Sequence, residues 1–363
     1  MKRLLIALAG LLVALGAYLS FWPVPIDPVA WQAPTSRGYI DPFSRNSLLK
    51  PATAIELGDF EGPEDAAVGN DGLIYVTTET AKIIRVRNRA VDEFAAVGGR
   101  PLGIETAADG SLIIANAVSG IQRVAADGSV SVILDQIEST PLVNANNLGI
   151  APDGTIYFSQ SSTRFTAADF GGSYQASLLD IMEHGGRGNV YSFDPATGAV
   201  ARLLTGLNYA NGVAVSSDGS YLLVAETGHY RILKHWLSGD TAGQTEVLLD
   251  NLPGFPDNIK NGFNDRFWIG FAAPRNTLLD KLSDQPFLRK VVQRLPAAIR
   301  PKAVPSSHVI AIDGDGHVLM NLHEPAARFP TLTGVLETRD ALYLTTLFGR
   351  QLPRINKRDL YTQ

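Results

Sequence analysis

Four oxygen-bearing side chains, Glu64, Asn146, Asn211 and Asp257, each stand seven residues before a hairpin-type turn. Those turns open at Asp71-Gly72, Asp153-Gly154, Asp218-Gly219 and Asn264-Asp265. Counting back seven from Asp109 and Asp340, in two further turns, selects Leu102 and Thr333. Two carboxylates and two amide carbonyls are hard oxygen ligands. They suit calcium or another divalent cation, and they lack the nitrogen and sulfur that zinc prefers. Two carboxylates buried together resist ionisation, and a doubly charged ion neutralises them in formal charge. A lone Asn or Asp on such a strand more often holds channel water or a turn, so the shared offset is what singles these four out. Glu61 lies three residues off it.

Residues at one offset in every repeat must be placed by equivalent elements. Each turn lies between two apolar strands, most plainly in Tyr209–Glu226, and repetition over several tens of residues is the signature of a β-propeller. The expected fold is all-β, a six-bladed β-propeller with an N-terminal transmembrane helix. Short helical insertions are expected in blades three and five. The first, Thr163 to Gly188, has helical character over Ala176–His184, stopped by Gly185-Gly186. The second, 274–305, sets Leu278, Leu279, Leu282, Phe287 and Leu288 beside Arg289, Lys290, Arg294, Arg300 and Lys302. It is expected to pack as helix on the rim, and its composition equally suits a lid or a second membrane contact. The segment Ala52–Phe60 is expected to complete the last blade and close the ring.

The chain of 363 residues is 45% hydrophobic and 18% charged, with a formal charge of -5, which gives no electrostatic footprint for nucleic acid. It contains no cysteine, which excludes disulfides and thiolate-bound zinc. Lys2-Arg3 precede an apolar run from Leu4 to Trp22 that is long enough to cross a bilayer. Tyr18-Leu19-Ser20-Phe21-Trp22 is bulky where a signal peptidase needs small residues, so an uncleaved anchor is expected. The positive-inside rule then keeps the N-terminus cytoplasmic and exports the propeller to the periplasmic, luminal or extracellular side. The expected division is a signal anchor at 1–22, a linker at 23–50 and the propeller at 51–363.

Gly62-Pro63-Glu64-Asp65, Asn146-Asn147, Asn211-Gly212, Val224-Ala225-Glu226-Thr227 and Pro253-Gly254-Phe255-Pro256-Asp257-Asn258 resemble the strictosidine synthase-like proteins. An anchor followed by a propeller is similar to the adipocyte plasma membrane-associated protein family within that group. The wider superfamily includes gluconolactonases, senescence marker protein and paraoxonases. That resemblance implies a calcium ion in the central channel held by Glu64, Asn146, Asn211 and Asp257, with Asn258 matching a further ligand. Asp65 and Asn147 match a second, structural calcium of the paraoxonases, but Asn147 replaces a carboxylate, so no second ion is expected. Leu102 stands where paraoxonases carry a histidine, which leaves the general base unassigned. His184 and His229 are expected mainly as solvated loop residues.

The implied activity is calcium-dependent hydrolysis of a small-molecule ester or lactone, and no G-x-S-x-G elbow offers a serine mechanism instead. The alternative is a non-catalytic, metal-stabilised propeller that binds a partner protein or ligand. Strictosidine synthesis itself is not expected. It relies on a glutamate in the last blade, and the matching stretch here is Thr331-Leu332-Thr333-Gly334.

Overall fold

The apolar strands pair with their sequence neighbours into six four-stranded antiparallel sheets in the computed structural model, which describes residues 1–300 and 302–360. The first strands of the six blades are Ala66–Val68, Pro101–Thr106, Ala145–Ile150, Ala210–Val215, Gly254–Asn261 and Leu332–Glu337. They touch one another around the ring and form the wall of the central channel. All six expected turns join first to second strands. In four of them the aspartate Oδ1 accepts the backbone N–H two residues on, from Leu73, Ser111, Thr155 and Ser220, at 2.9–3.0 Å. Asn264 and Asp265 both take left-handed conformations, φ 57° and 53°, in a three-residue connection closed by the Gly262 N–H donating to the Arg266 carbonyl at 2.8 Å.

The core is distributed between blades. Ala214, Leu223 and Ile232 of blade four pack with Ile259, Ile269 and Ile310 of blade five, and Ile113 and Ile121 of blade two pack with Leu148 and Phe158 of blade three. At the channel wall the blades come closest where Gly212 meets the next strand. A Cβ there would lie 2.3 Å from the Ile259 nitrogen and 2.5 Å from the Asp257 carbonyl oxygen, so only glycine fits. The ring closes as expected. Thr53–Glu56 pairs antiparallel with Gln351–Asn356 and supplies the outermost strand of blade six.

Helix α1 (Lys2–Phe21) carries the apolar run. Blade three's insertion forms α2 (Ser173–Glu183), which begins three residues earlier than the periodicity implies and ends at His184 in the left-handed conformation. Blade five's insertion forms α3 (Thr277–Lys281), capped by the Asn276 side chain, and α4 (Pro286–Arg294). The 23–50 segment has no helix or strand, in keeping with its lack of period, yet it is laid along the propeller. Val29 and Trp31 donate backbone N–H groups to Glu183 and Ser283, and Leu49 donates to His323. Ile26 and Leu49 are buried.

Candidate metal centre in the central channel

Each first strand is delivered to the axis by what precedes it. Two residues before the common offset, Gly62, Asn144, Tyr209 and Thr331 are left-handed, at φ 61°, 53°, 62° and 60°. Such a conformation is strained for a tyrosine or a β-branched threonine and persists only where the surroundings enforce it. At Asn144 the side chain does so, donating to the carbonyls of Ser162 and Phe165, both at 2.8 Å.

Five of the six equivalent residues, Glu64, Leu102, Asn146, Asn211 and Asp257, line one cavity of about 850 Å³. Thr333, the sixth, does not line it. Its hydroxyl donates to the Glu64 backbone carbonyl at 2.7 Å, and Thr331 faces the cavity instead. Asn258 lies below the ring with its amide engaged inside the protein. Its Oδ1 accepts from Asn147 at 3.1 Å, and its Nδ2 donates to the Glu64 carbonyl at 3.1 Å. Of the five expected ligands, four therefore share the cavity and Asn258 braces them from beneath.

Asn211 Nδ2 donates to Asp257 Oδ1 at 2.6 Å, while Asn211 Oδ1 is buried with no hydrogen-bond partner. Arg100 Nη2 donates to Glu64 Oε2 at 3.2 Å. Burial pushes Glu64 up to about 7 against the opposing charge of Arg100. Burial and then the charge of Glu64 hold Asp257 well above the ordinary carboxylate range, despite the Asn211 amide. The described residues contain no group of three His, Asp or Glu side chains suited to a metal. Amide oxygens must therefore complete any donor set. An unpartnered amide oxygen beside two carboxylates that resist ionisation is what a hard divalent cation would relieve, so the residues fit one.

A pH dependence follows. With its carboxyl raised from 4.5 in the free state to about 7 in the fold, Glu64 binds more protons folded than unfolded between those values. Its contribution is thus most favourable below about 4.5 and is lost as pH rises through about 7. A bound cation would compensate that loss. The rise in melting temperature on adding calcium is accordingly expected to be larger at pH 8 than at pH 5; an equal shift at both would mean that calcium acts elsewhere.

Below the ring a protein cation occupies the channel. Lys260 Nζ lies 3.0 Å from Asp65 Oδ2 and 3.0 Å from Glu105 Oε1, and it also donates to the Ile104 carbonyl. Asp65 further accepts the N–H groups of Ala66 and Ile104, at 2.8 and 3.0 Å. Lysine in the innermost strand of a propeller is the sequence signal that would have found this group. Arg100 and Tyr209 also escape a count by offset seven, although each lies two residues before a position that the count selects.

Contrary to expectation, the two histidines pack together, His184 buried and His229 half-buried. Their Nε2 atoms lie 3.1 Å apart, His229 Nδ1 is 2.6 Å from Glu226 Oε1, and Arg231 holds the other Glu226 oxygen at 2.6 Å. Trp31, from the 23–50 segment, stacks on His184 at 4.0 Å between ring centroids. Burial, and then His229, drive His184 down to about 2. Neither ring lines the cavity.

The six-bladed propeller is a fold that this chain shares with proteins of known structure. The chain resembles a gluconolactonase from Xanthomonas campestris with a TM-score of 0.62 at 17% identity, covering 84% of this chain and 88% of that one. A calcium-binding protein, regucalcin, from Agrobacterium tumefaciens follows with 0.54 at 14%, covering 80% and 90%. At these identities the likeness shows the fold.

By sequence, the family model for strictosidine synthase matches residues 146–240, and that for strictosidine synthase-like N-terminal regions matches 41–86. Adipocyte plasma membrane-associated protein of Bos taurus is 31% identical over 377 residues, covering 97% of this chain and 88% of the relative. Protein strictosidine synthase-like 6 of Arabidopsis thaliana is 29% identical, with 89% and 86% covered. The chain belongs to the family that includes adipocyte plasma membrane-associated protein and the strictosidine synthase-like proteins.

Proposed function

We propose that this protein is a cation-dependent hydrolase of small esters or lactones, attached to a membrane by α1 with its propeller on the exported side. The observation that carries the reading is the floor of the cavity, where Glu64, Asn146, Asn211 and Asp257 meet and one amide oxygen is left without a partner. These four residues would hold the ion. When bound, it supplies Lewis acidity toward a carbonyl oxygen or an attacking water.

The other groups prepare the site. Arg100 fixes Glu64, and Asn211 orients Asp257. Burial, and then the charge of Asp257, keep the Tyr209 hydroxyl protonated, so it can only donate toward a developing oxyanion. Leu102, Phe255, Leu178, Leu278 and Leu279 give the cavity an apolar wall that excludes water from the reacting carbonyl. Attachment is supported at the exit of α1. Arg294 of α4 donates to the carbonyls of Trp22 and Leu19, at 2.6 and 2.9 Å, which gives the last turn of the apolar helix a cationic cap.

The scarcity of carboxylates and the absence of histidine from the lining favour a second reading, a propeller that binds a ligand or partner without turning it over. The full chain in detergent, assayed against aryl esters, lactones and phosphotriesters with calcium and with chelator, separates the two. Hydrolysis that the chelator abolishes is expected; inactivity under both conditions favours the binding module. No condensation of tryptamine with secologanin is expected. Thr333 is bonded to backbone, and neither Glu324 nor Glu337 lines the cavity; Glu337 is held by Trp268 and Lys357 instead.

A further inference from the structure

Helix α4 buries two arginines beside Val292 and leaves other apolar side chains exposed. Its Arg289 is 0% exposed, with the guanidinium donating to the carbonyls of Met182 and Ser283 at 2.9 Å and to that of Val29. Arg294 is likewise buried. Phe287 and Leu288, by contrast, are 54% and 42% exposed. The apolar exposure continues along the same rim through Ile299, Val304, Leu278 and Leu178. Leu178, Leu278 and Val304 also line the cavity, so these side chains surround its mouth. Exposed apolar side chains gathered on the elements around a cavity mouth mark a surface that meets something other than water.

What it meets is indicated by α1. The last turn of that helix is fastened to α4 by Arg294 and by the Tyr18 hydroxyl, which donates to the Arg294 carbonyl at 3.0 Å. Phe21 and Trp22, at the same junction, are exposed. A helix that leaves the bilayer at α4 carries the neighbouring rim down to the leaflet it leaves. Arg300 and Lys302, beside the mouth, supply cations at the level of lipid headgroups.

We propose that this rim is a second membrane contact: Phe287, Leu288, Ile299, Val304, Leu278 and Leu178 insert into the leaflet from which α1 emerges. The cavity then opens onto lipid, and its ligands are amphiphiles that partition from the bilayer. The contact is independent of whether the cavity hydrolyses esters, because the test reads position rather than activity.

The chain contains no cysteine, so single-cysteine variants of the full protein can be labelled cleanly. Phe287→Cys, Ile299→Cys and Val304→Cys probe the rim. Asp153→Cys probes an exposed turn at the far end of a first strand, on the opposite face. Each variant carries an environment-sensitive fluorophore and is reconstituted into vesicles of phosphatidylcholine and phosphatidylglycerol containing nitroxide lipid. The rim labels are expected to lose most of their emission to the nitroxide and to be shielded from aqueous iodide, with the reverse at position 153. Rim labels as open to iodide as position 153 would overturn the proposal. So would rim labels shielded from both quenchers in proportion to protein density, which would assign the rim to a second copy of the chain.

Discussion

A Lys260→Met variant is expected to lose about 3–5 kcal/mol of folding stability, the range for removing one partner of a buried ion pair. Methionine fills much the same volume but leaves Asp65, buried in the channel wall, and half-buried Glu105 facing each other without the ammonium that now lies 3.0 Å from each. The N–H groups of Ala66 and Ile104 still serve Asp65 and limit the loss. Denaturant unfolding of wild type and variant at pH 7.5 checks the value, and a difference below about 1 kcal/mol would reduce the triad to a surface-grade pair. The deficit should shrink as pH falls, since burial holds the Glu105 carboxyl above its ordinary range and its protonation removes one of the charges that the missing lysine leaves unpaired.

Asn211→Ala and Asp257→Ala are each expected to reduce cation-dependent turnover by at least about 100-fold, because even residues that only support metal ligands are worth 10–100-fold. Both variants should retain the circular dichroism of the parent. The core lies between blades, and these side chains face a cavity. Asp257→Ala removes the acceptor for the Asn211 amide, so Asn211 is no longer held in place. Asn211→Ala removes a buried, unpartnered oxygen of the floor. Calcium affinity measured by calorimetry alongside the dichroism decides the matter: wild-type affinity in either variant would sink the site assignment.

The parts of the molecule that repeat were legible in the sequence, because a recurrent turn imposes a common frame. Counting back from Asp71 or Asp218 finds Glu64 or Asn211 without knowledge of any contact, and the structure puts five of the six counted residues in one cavity. The same frame located the closing strand at Thr53–Glu56, since the last blade was short of one. Contacts between repeats were not legible. Nothing local brings His184 to His229 across 45 residues, or seats Trp31 upon them, and polar loops without period gave no sign of either. Thr333 obeyed the count yet missed the cavity because its hydroxyl turned to the Glu64 carbonyl. Arg100 was overlooked for the opposite reason: it reaches the floor from outside the counted position.

The strand that closes the ring also sets a timetable for the nascent chain. Thr53 bonds to Arg354, 301 residues later, so this strand leaves the ribosome well before its partner and waits for it. Through that interval blade six has no outer strand and the propeller is an open arc with two unsatisfied edges, the kind of surface on which foreign strands add. Once α1 is inserted, the waiting strand stays tethered beside the bilayer, at high local concentration for its own partner and away from others. A chain that stops before Gln351 never receives that partner, so the arc stays permanently unclosed.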